Sequence, residues 1–95
     1  MLYNAPTDPQ AFDRHYRDIH IPLAKQMPGL RRYTVSRGMS GGRGAPFYLV
    51  AELDWDDMAA FRTAMGSPAG AEATTDVAKF ATAGSSSLIY EVAEV

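Results

Sequence analysis

Residues 47–55 read FYLVAELDW. Alternate side chains of a strand point to opposite sides of its sheet. Phe47, Leu49, Ala51 and Leu53 therefore share one face, and Tyr48, Val50 and Glu52 the other. Both faces are largely apolar, which predicts a central strand covered on both sides. The chain has 95 residues, enough for one domain, 1–95, with a modest core. Whatever surrounds this strand has to supply both covers.

Upstream, LRRYTVSR (30–37) alternates as a second strand, with Tyr33 and Val35 on one face and Arg32, Thr34 and Ser36 on the other. The glycine-rich stretch GMSGGRGAP (38–46) joins the two as a hairpin connection that could lid a cleft. It lacks the lysine–serine/threonine ending and following helix of a phosphate loop. Downstream, Asp54 is placed to cap a helix starting at Trp55, with Met58, Phe61 and Met65 at helical spacing. Gly66 ends that helix, and Ser67–Pro68 starts another carrying Ala73, Val77 and Phe80. MLYNA (1–5) reads as a short first strand and SLIYEVAEV (87–95) as the last. Between the first two strands, Asp8–Pro9 is a cap followed by a proline at the first helical position. Phe12, Tyr16, Ile19, Leu23 and Met27 then form one apolar stripe on a helix that must stop by Pro28–Gly29.

The order β-α-β-β-α-(α)-β predicts an α+β, ferredoxin-like fold, a four-stranded antiparallel sheet with its helices on one face. The helices cover only one face. The other, carrying Tyr48, Val50 and part of the terminal strand, needs a partner, and an identical chain supplies it most simply. A homodimer that closes an α/β barrel is the expected assembly.

Composition narrows the function classes. A net charge of −2 gives no long-range attraction to nucleic acid or an anionic membrane. The absence of cysteine removes disulfides, thiolate catalysis and cysteine-ligated metals. No apolar run approaches the roughly 20 residues of a membrane span. The first ten residues do not read as a signal peptide, so a cytoplasmic protein is expected.

Residues 15–24, HYRDIHIPLA, carry both histidines and place Pro22 inside the helical stripe. Pro22 cannot donate to the carbonyl of Asp18, and a kink there would turn His20 toward a cleft. On a helical wheel His20 lies about 80° from Phe12, bordering the stripe near Tyr16, Ala24 and Met27. A neutral imidazole in that place suits general acid–base catalysis on a small carbonyl compound or phenol. A structural histidine bonded to a backbone carbonyl is the plainer alternative. His15 falls roughly 140° from His20, a spacing that does not put two imidazoles on one metal. It is expected to be solvated or at a boundary, with no metal site and no cofactor. Tyr16, Tyr33, Tyr48 and Trp55 are candidates to line an apolar ligand pocket, the tyrosines because a buried hydroxyl needs a polar partner. Phe61 and Phe80 read as core, and Asp76 as a helix-surface or capping residue. Glu52 would have a raised pKa inside a barrel unless paired, for instance with Arg31 or Arg37.

The stretch HYRDIHIPLAKQMPGLRRY (15–33) resembles the EthD family of dimeric α+β barrel proteins. Phe12 and Tyr16 on the first helix, His20-x-Pro22-Leu23, Pro28-Gly29-Leu30 and Tyr33 carry the resemblance. TTDVAKFA (74–81) is similar to the family's second motif, with Asp76 and Phe80 in its aspartate and phenylalanine positions. The resemblance implies a ferredoxin-like monomer, a face-to-face dimer, and a cleft between sheet and helices. The family's namesake accompanies oxidative degradation of an alkyl ether beside a cytochrome P450 system, with no assigned catalytic step. The wider superfamily includes cofactor-free monooxygenases and haem-degrading proteins, so the fold leaves the chemistry open. Two functions remain: a small enzyme using His20 on an apolar or aromatic molecule, or a non-catalytic carrier or protein-interaction module using the same cleft. A haem-related or cofactor-free oxygenase role is more remote.

Overall fold

In a computed structural model that describes residues 1–38 and 47–95, the elements follow the expected order. They are β1 (Leu2–Asn4), α1 (Pro9–His15), a π-helical turn (Tyr16–His20), α2 (Ile21–Ala24), β2 (Arg32–Val35), β3 (Phe47–Asp54), α3 (Met58–Met65), α4 (Pro68–Phe80) and β4 (Ser85–Ser86). The strands form one antiparallel sheet in the order β2-β3-β1-β4. This is the ferredoxin-like arrangement, with β3 inside the sheet. The glycine-rich connection expected to form a lid falls, apart from Gly38, outside the described residues.

Two of the three caps lie where the residue types put them. Asp8 accepts a hydrogen bond from the Ala11 N–H and Ser67 from the Gly70 N–H, each followed by a proline at the first helical position. The third is displaced. Asp57, not Asp54, caps α3 by accepting from the Ala60 N–H. Asp54 stays in the sheet because its carbonyl accepts from the Arg31 N–H, 2.8 Å away. Trp55 is held outside the helix, its indole N–H donating to the Pro28 carbonyl and its ring edge-on to Phe61.

The helices lie on one face of the sheet. Tyr3, Phe12, Tyr16, Ala51 and Phe80 form the larger buried cluster, with Tyr33, Tyr48, Leu49 and Leu53 packed around it. A second cluster joins Ala24, Met27, Ala64 and Ala73 where α2 meets α3 and α4. Tyr48 corrects the simple alternation. The register between β1 and β3 slips between Tyr3 and Asn4, and Tyr48 lies with the helices. Its ring meets Phe12 edge-on and its hydroxyl donates to Asp13. A bulge re-aims one side chain in this way while leaving the strand in place. The outer face therefore carries the paired Leu2 and Val50 with Thr34 and Glu52, without Tyr48.

The end of the chain differs more. Only Ser85 and Ser86 pair with β1, and residues 87–95 run on as an unpaired, exposed segment rather than as the expected strand. Among the described residues no helix is long and apolar enough to cross a membrane.

Gly70 fixes how closely α4 approaches the end of α3. A Cβ at this buried position would collide with the carbonyl oxygen of Ala64 and stand 2.8 Å from the Met65 Cα, both backbone atoms that cannot swing away. Gly-to-Ala changes in a helix interior normally stabilise by roughly 0.5–1 kcal/mol. Here Gly70→Ala is expected to destabilise by about 1–3 kcal/mol through overpacking. Thermal denaturation checks the sign: a melting temperature equal to or above that of the unmodified protein would show that the two helices separate without loss.

Candidate functional site

The helix that begins at Pro9 meets Pro22 without a break. Over Tyr16–His20 its hydrogen bonds lengthen to the i to i+5 pattern, the Ile21 N–H donating to the Tyr16 carbonyl. A π-turn takes one extra residue per turn, so side chains five apart come to lie above one another. His15 and His20 are five apart. A regular helix would hold them on different sides, and the π-turn brings both to α4. The departure from regular helix is a widened turn just before Pro22.

What they meet there is Asp76. His15 Nε2 lies 2.9 and 3.1 Å from the two carboxylate oxygens, and His20 Nδ1 lies 3.0 Å from one of them. Asp76 is only 2% exposed and His20 only 5%, while the His15 side chain keeps 23% of its surface. Phe80, one turn after Asp76, packs against both imidazoles with ring centres 5.3 and 4.7 Å away. Tyr16 covers His20 from the other side at 5.2 Å.

The electrostatics assign the protons. Burial opposes the charge on Asp76, but hydrogen bonds from His15 and His20, with their charge, outweigh it and hold the carboxyl below its usual range. Burial lowers the His20 pKa below 6.5 against the opposing pull of Asp76, which favours the neutral ring. An ionised carboxylate only accepts hydrogen bonds. Each ring nitrogen facing Asp76 therefore carries the hydrogen: Nε2–H on His15 and Nδ1–H on His20. The far nitrogen of neutral His20, Nε2, keeps a lone pair for proton transfer. Among the described residues no buried side-chain nitrogen or oxygen is left without a partner.

The three groups bond one another rather than surround a void. Their ring nitrogens point at the carboxylate oxygens, unlike ligands that converge on a metal, and no group of three or more His, Cys, Asp or Glu side chains is set to hold one among the described residues. A hollow of about 220 Å³ between the start of α1 and the end of α4 is walled by Phe12, His15, Lys79 and Phe80. Another of about 390 Å³, along the groove between α2 and α4, reaches Asp76 past Leu23, Thr75 and Lys79.

The remaining candidate residues divide. Tyr16 touches His20 and shares a 2.6 Å hydroxyl–hydroxyl hydrogen bond with Tyr33, so these two join the cluster through the core. Burial pushes both phenol pKa values up, so these hydroxyls stay protonated. Tyr48 and Trp55 are directed to Asp13 and Pro28 instead. His15 lies at the boundary, one of its two expected placements, but it bonds Asp76, and Asp76 is not a surface or capping residue. One signal in the sequence pointed to Asp76. It falls at steps of three and four between Ala73 and Phe80, inside the buried stripe of α4, where a carboxylate requires a partner.

The sequence model of the EthD domain matches residues 4–84. The chain belongs to the EthD family. A Rhodococcus erythropolis protein, an uncharacterized 11.0 kDa product of the thcB–thcC intergenic region, is 39% identical over 85 residues, covering 88% of this chain and 82% of its own. The crystal structure of an ethyl tert-butyl ether D (EthD) family protein from Bacillus halodurans is similar, with a TM-score of 0.78 at 38% identity. It covers 86% of this EthD chain and 83% of that one.

The proton assignment is directly measurable, because the chain has only two histidines. Long-range proton–nitrogen NMR spectra at neutral pH should show His20 as the Nδ1–H tautomer and His15 as the Nε2–H tautomer. The reverse assignment for either ring would contradict an ionised Asp76 between them. The lowered His20 pKa also sets a pH dependence. Stability from neutral His20 is full above the unfolded value of 6.5 and is lost as pH falls below it. Asp76, also lowered, adds a loss as pH falls below 3.8. Denaturant titrations of His20→Asn, which keeps a donor near Nδ1 but does not titrate, should show a smaller loss of stability below pH 6.5 than the unmodified protein.

Proposed function

We propose that this EthD-family chain acts as a homodimer on a small apolar or aromatic molecule, with His20 as the general acid–base group and Asp76 as the residue that orients it. The observation that carries this reading is the buried carboxylate fixing the tautomer of a nearly enclosed imidazole. An imidazole held by a carboxylate at one nitrogen presents the other to a substrate in one orientation and state. His20 Nε2 would take a proton from a carbon beside a carbonyl, or from a phenol, and return it to the product. The imidazolium formed meanwhile faces Asp76, which stabilises its charge. His15, donating to the same carboxylate, keeps Asp76 anchored and ionised. The groove beside Leu23 and Thr75 is of the size that small-molecule sites take. The dimer is supported by the apolar Leu2–Val50 pair on the outer sheet face and by the exposed apolar end of the chain.

A second reading, a carrier or interaction module without chemistry, is favoured by one observation. The rings of Tyr3, Phe12, Tyr16 and Phe80 fill the space between sheet and helices, where the sequence led us to expect a cleft.

Acetophenone separates the two readings, because exchange of its methyl protons into heavy water needs a base and no cofactor. The unmodified protein should accelerate exchange, and His20→Asn should lose roughly 10²–10⁴-fold of that acceleration. Asp76→Asn should lose part of it and should show altered His20 tautomerism. Shifts of the His20 ring resonances with no exchange would favour the carrier. Neither shift nor exchange, across acetophenone, phenol and an alkyl phenyl ether, would remove His20 from the function.

A further inference from the structure

The hollow between the start of α1 and the end of α4 takes no part in the function proposed above, yet one of the imidazoles that hold Asp76 stands in its wall. His15 donates from Nε2 to Asp76, which leaves its other nitrogen, Nδ1, as a hydrogen-bond acceptor. Among the described residues nothing donates to that Nδ1, and no side-chain nitrogen or oxygen is both buried and unpartnered. The atom is therefore open, and the hollow is the opening that His15 borders.

The rest of the wall has two characters. Phe12 and Phe80 are 3% and 5% exposed and meet edge to face with ring centres 5.2 Å apart, which gives the hollow an aromatic side. The Phe80 ring also lies 5.3 Å from the His15 imidazole, so this surface runs up to the open nitrogen. Lys79, one turn after Asp76 on α4, adds an ammonium that only donates. Asp8 supplies an acid, with one carboxylate oxygen already taken by the Ala11 N–H.

Size and charge select the ligand. The hollow holds about 220 Å³, below the range of drug-sized pockets. An apolar cavity of about 150 Å³ already holds benzene, so one substituted ring fits here and two do not. A carboxylate would meet the lone pair of Nδ1 and the Asp8 carboxylate, and an ammonium would meet Lys79. A hydrocarbon would strip water from Nδ1 and return no hydrogen bond. A hydroxyl serves both polar groups at once, because it donates one hydrogen bond and accepts others.

We propose that this hollow is a binding site for a single-ring phenol, whose hydroxyl donates to His15 Nδ1 and accepts from Lys79 while its ring lies against Phe12 and Phe80. The phenol is held neutral and no bond is broken. Asp76 is a positioning residue for this site, since its carboxylate holds His15 in the tautomer that leaves Nδ1 free to accept. The site is separate from His20 and the groove beside Leu23, and it stands whether or not His20 carries out proton transfer.

The test follows the ring nitrogens of both histidines by NMR while the full chain is titrated with phenol, anisole or benzoate. Phenol should move the His15 Nδ1 resonance saturably. Anisole keeps the ring but has no hydrogen to give, and it should bind roughly three- to tenfold more weakly. Lys79→Met should weaken phenol by a similar factor. Ala11 is exposed at the rim, so Ala11→Phe fills the hollow without entering the core. This variant should abolish the His15 shift and leave any acetophenone exchange at His20 unchanged. An unmoved Nδ1 resonance, equal affinity for phenol and anisole, tighter binding of benzoate, or a His15 shift that survives Ala11→Phe would each overturn the site. Phenol that moves only the His20 resonances would overturn it too, and would leave the ligand to the groove. The expected His15 shift without acetophenone exchange would uphold the phenol site and end the chemistry assigned to His20.

Discussion

A single carboxylate ties the helical layer together. Asp76 is almost completely buried on α4, and both partners that make its burial tolerable come from the helix laid against it. An isolated carboxylate in such surroundings would give up its charge before accepting desolvation. Two imidazole N–H donors allow it to stay ionised, and they fix how α4 docks on α1 and the turn after it. The requirement runs backward into local structure. Histidines five apart serve one carboxylate only if the helix widens between them, so the π-turn belongs to the site as much as the side chains do.

Most of the fold was legible in the sequence because it rests on strong, short-range signals. The two-sided apolar pattern of FYLVAELDW identifies the inner strand, and Asp8–Pro9 and Ser67–Pro68 mark helix starts. The discrepancies arise where tertiary contacts outweigh local preference. Asp54 has the chemistry of a cap, but its carbonyl is engaged by Arg31 across the sheet, and Asp57 caps α3 instead. Tyr48 follows strict alternation in the sequence and leaves it in the structure, because the register slip lets its ring reach Phe12 and its hydroxyl reach Asp13. The tail has the residues of a strand without a strand beside it in its own chain, and residue preference alone does not reveal whether a neighbour exists.

The arrangement of the candidate site was legible in part. His20 and Tyr16 follow from the border of the apolar stripe, which depends on the helix being helical and little on its exact pitch. His15 was misplaced because a wheel assumes 100° per residue, and a π-turn violates that assumption over the very interval that separates the histidines. The proline gave the warning in a different form. A residue that removes one i to i+4 hydrogen bond makes a neighbouring change of register inexpensive, and the turn before Pro22 is widened. Asp76 reads by residue type as a helix-surface or capping residue, although its spacing from Ala73 and Phe80 places it inside.

The two imidazoles are not equivalent, and the difference gives the cluster a direction. His20 is enclosed between Tyr16 and Phe80, where burial keeps the ring neutral, whereas His15 forms part of the wall of an open hollow. The outer ring reaches both carboxylate oxygens and the inner ring one, so Asp76 is held from both sides. A proton taken up at His20 is stabilised by Asp76 without passing to it, because the second donor, His15, holds down the basicity of the shared carboxylate. Burial does most to lower the proton affinity of the inner ring, the outer histidine adds to it across one side chain, and solvent reaches the pair from the His15 side. Coupling of this kind needs no metal, cofactor or moving part. It needs only that the widened turn hold two rings to one carboxylate, so the cluster follows from the backbone geometry between Tyr16 and His20.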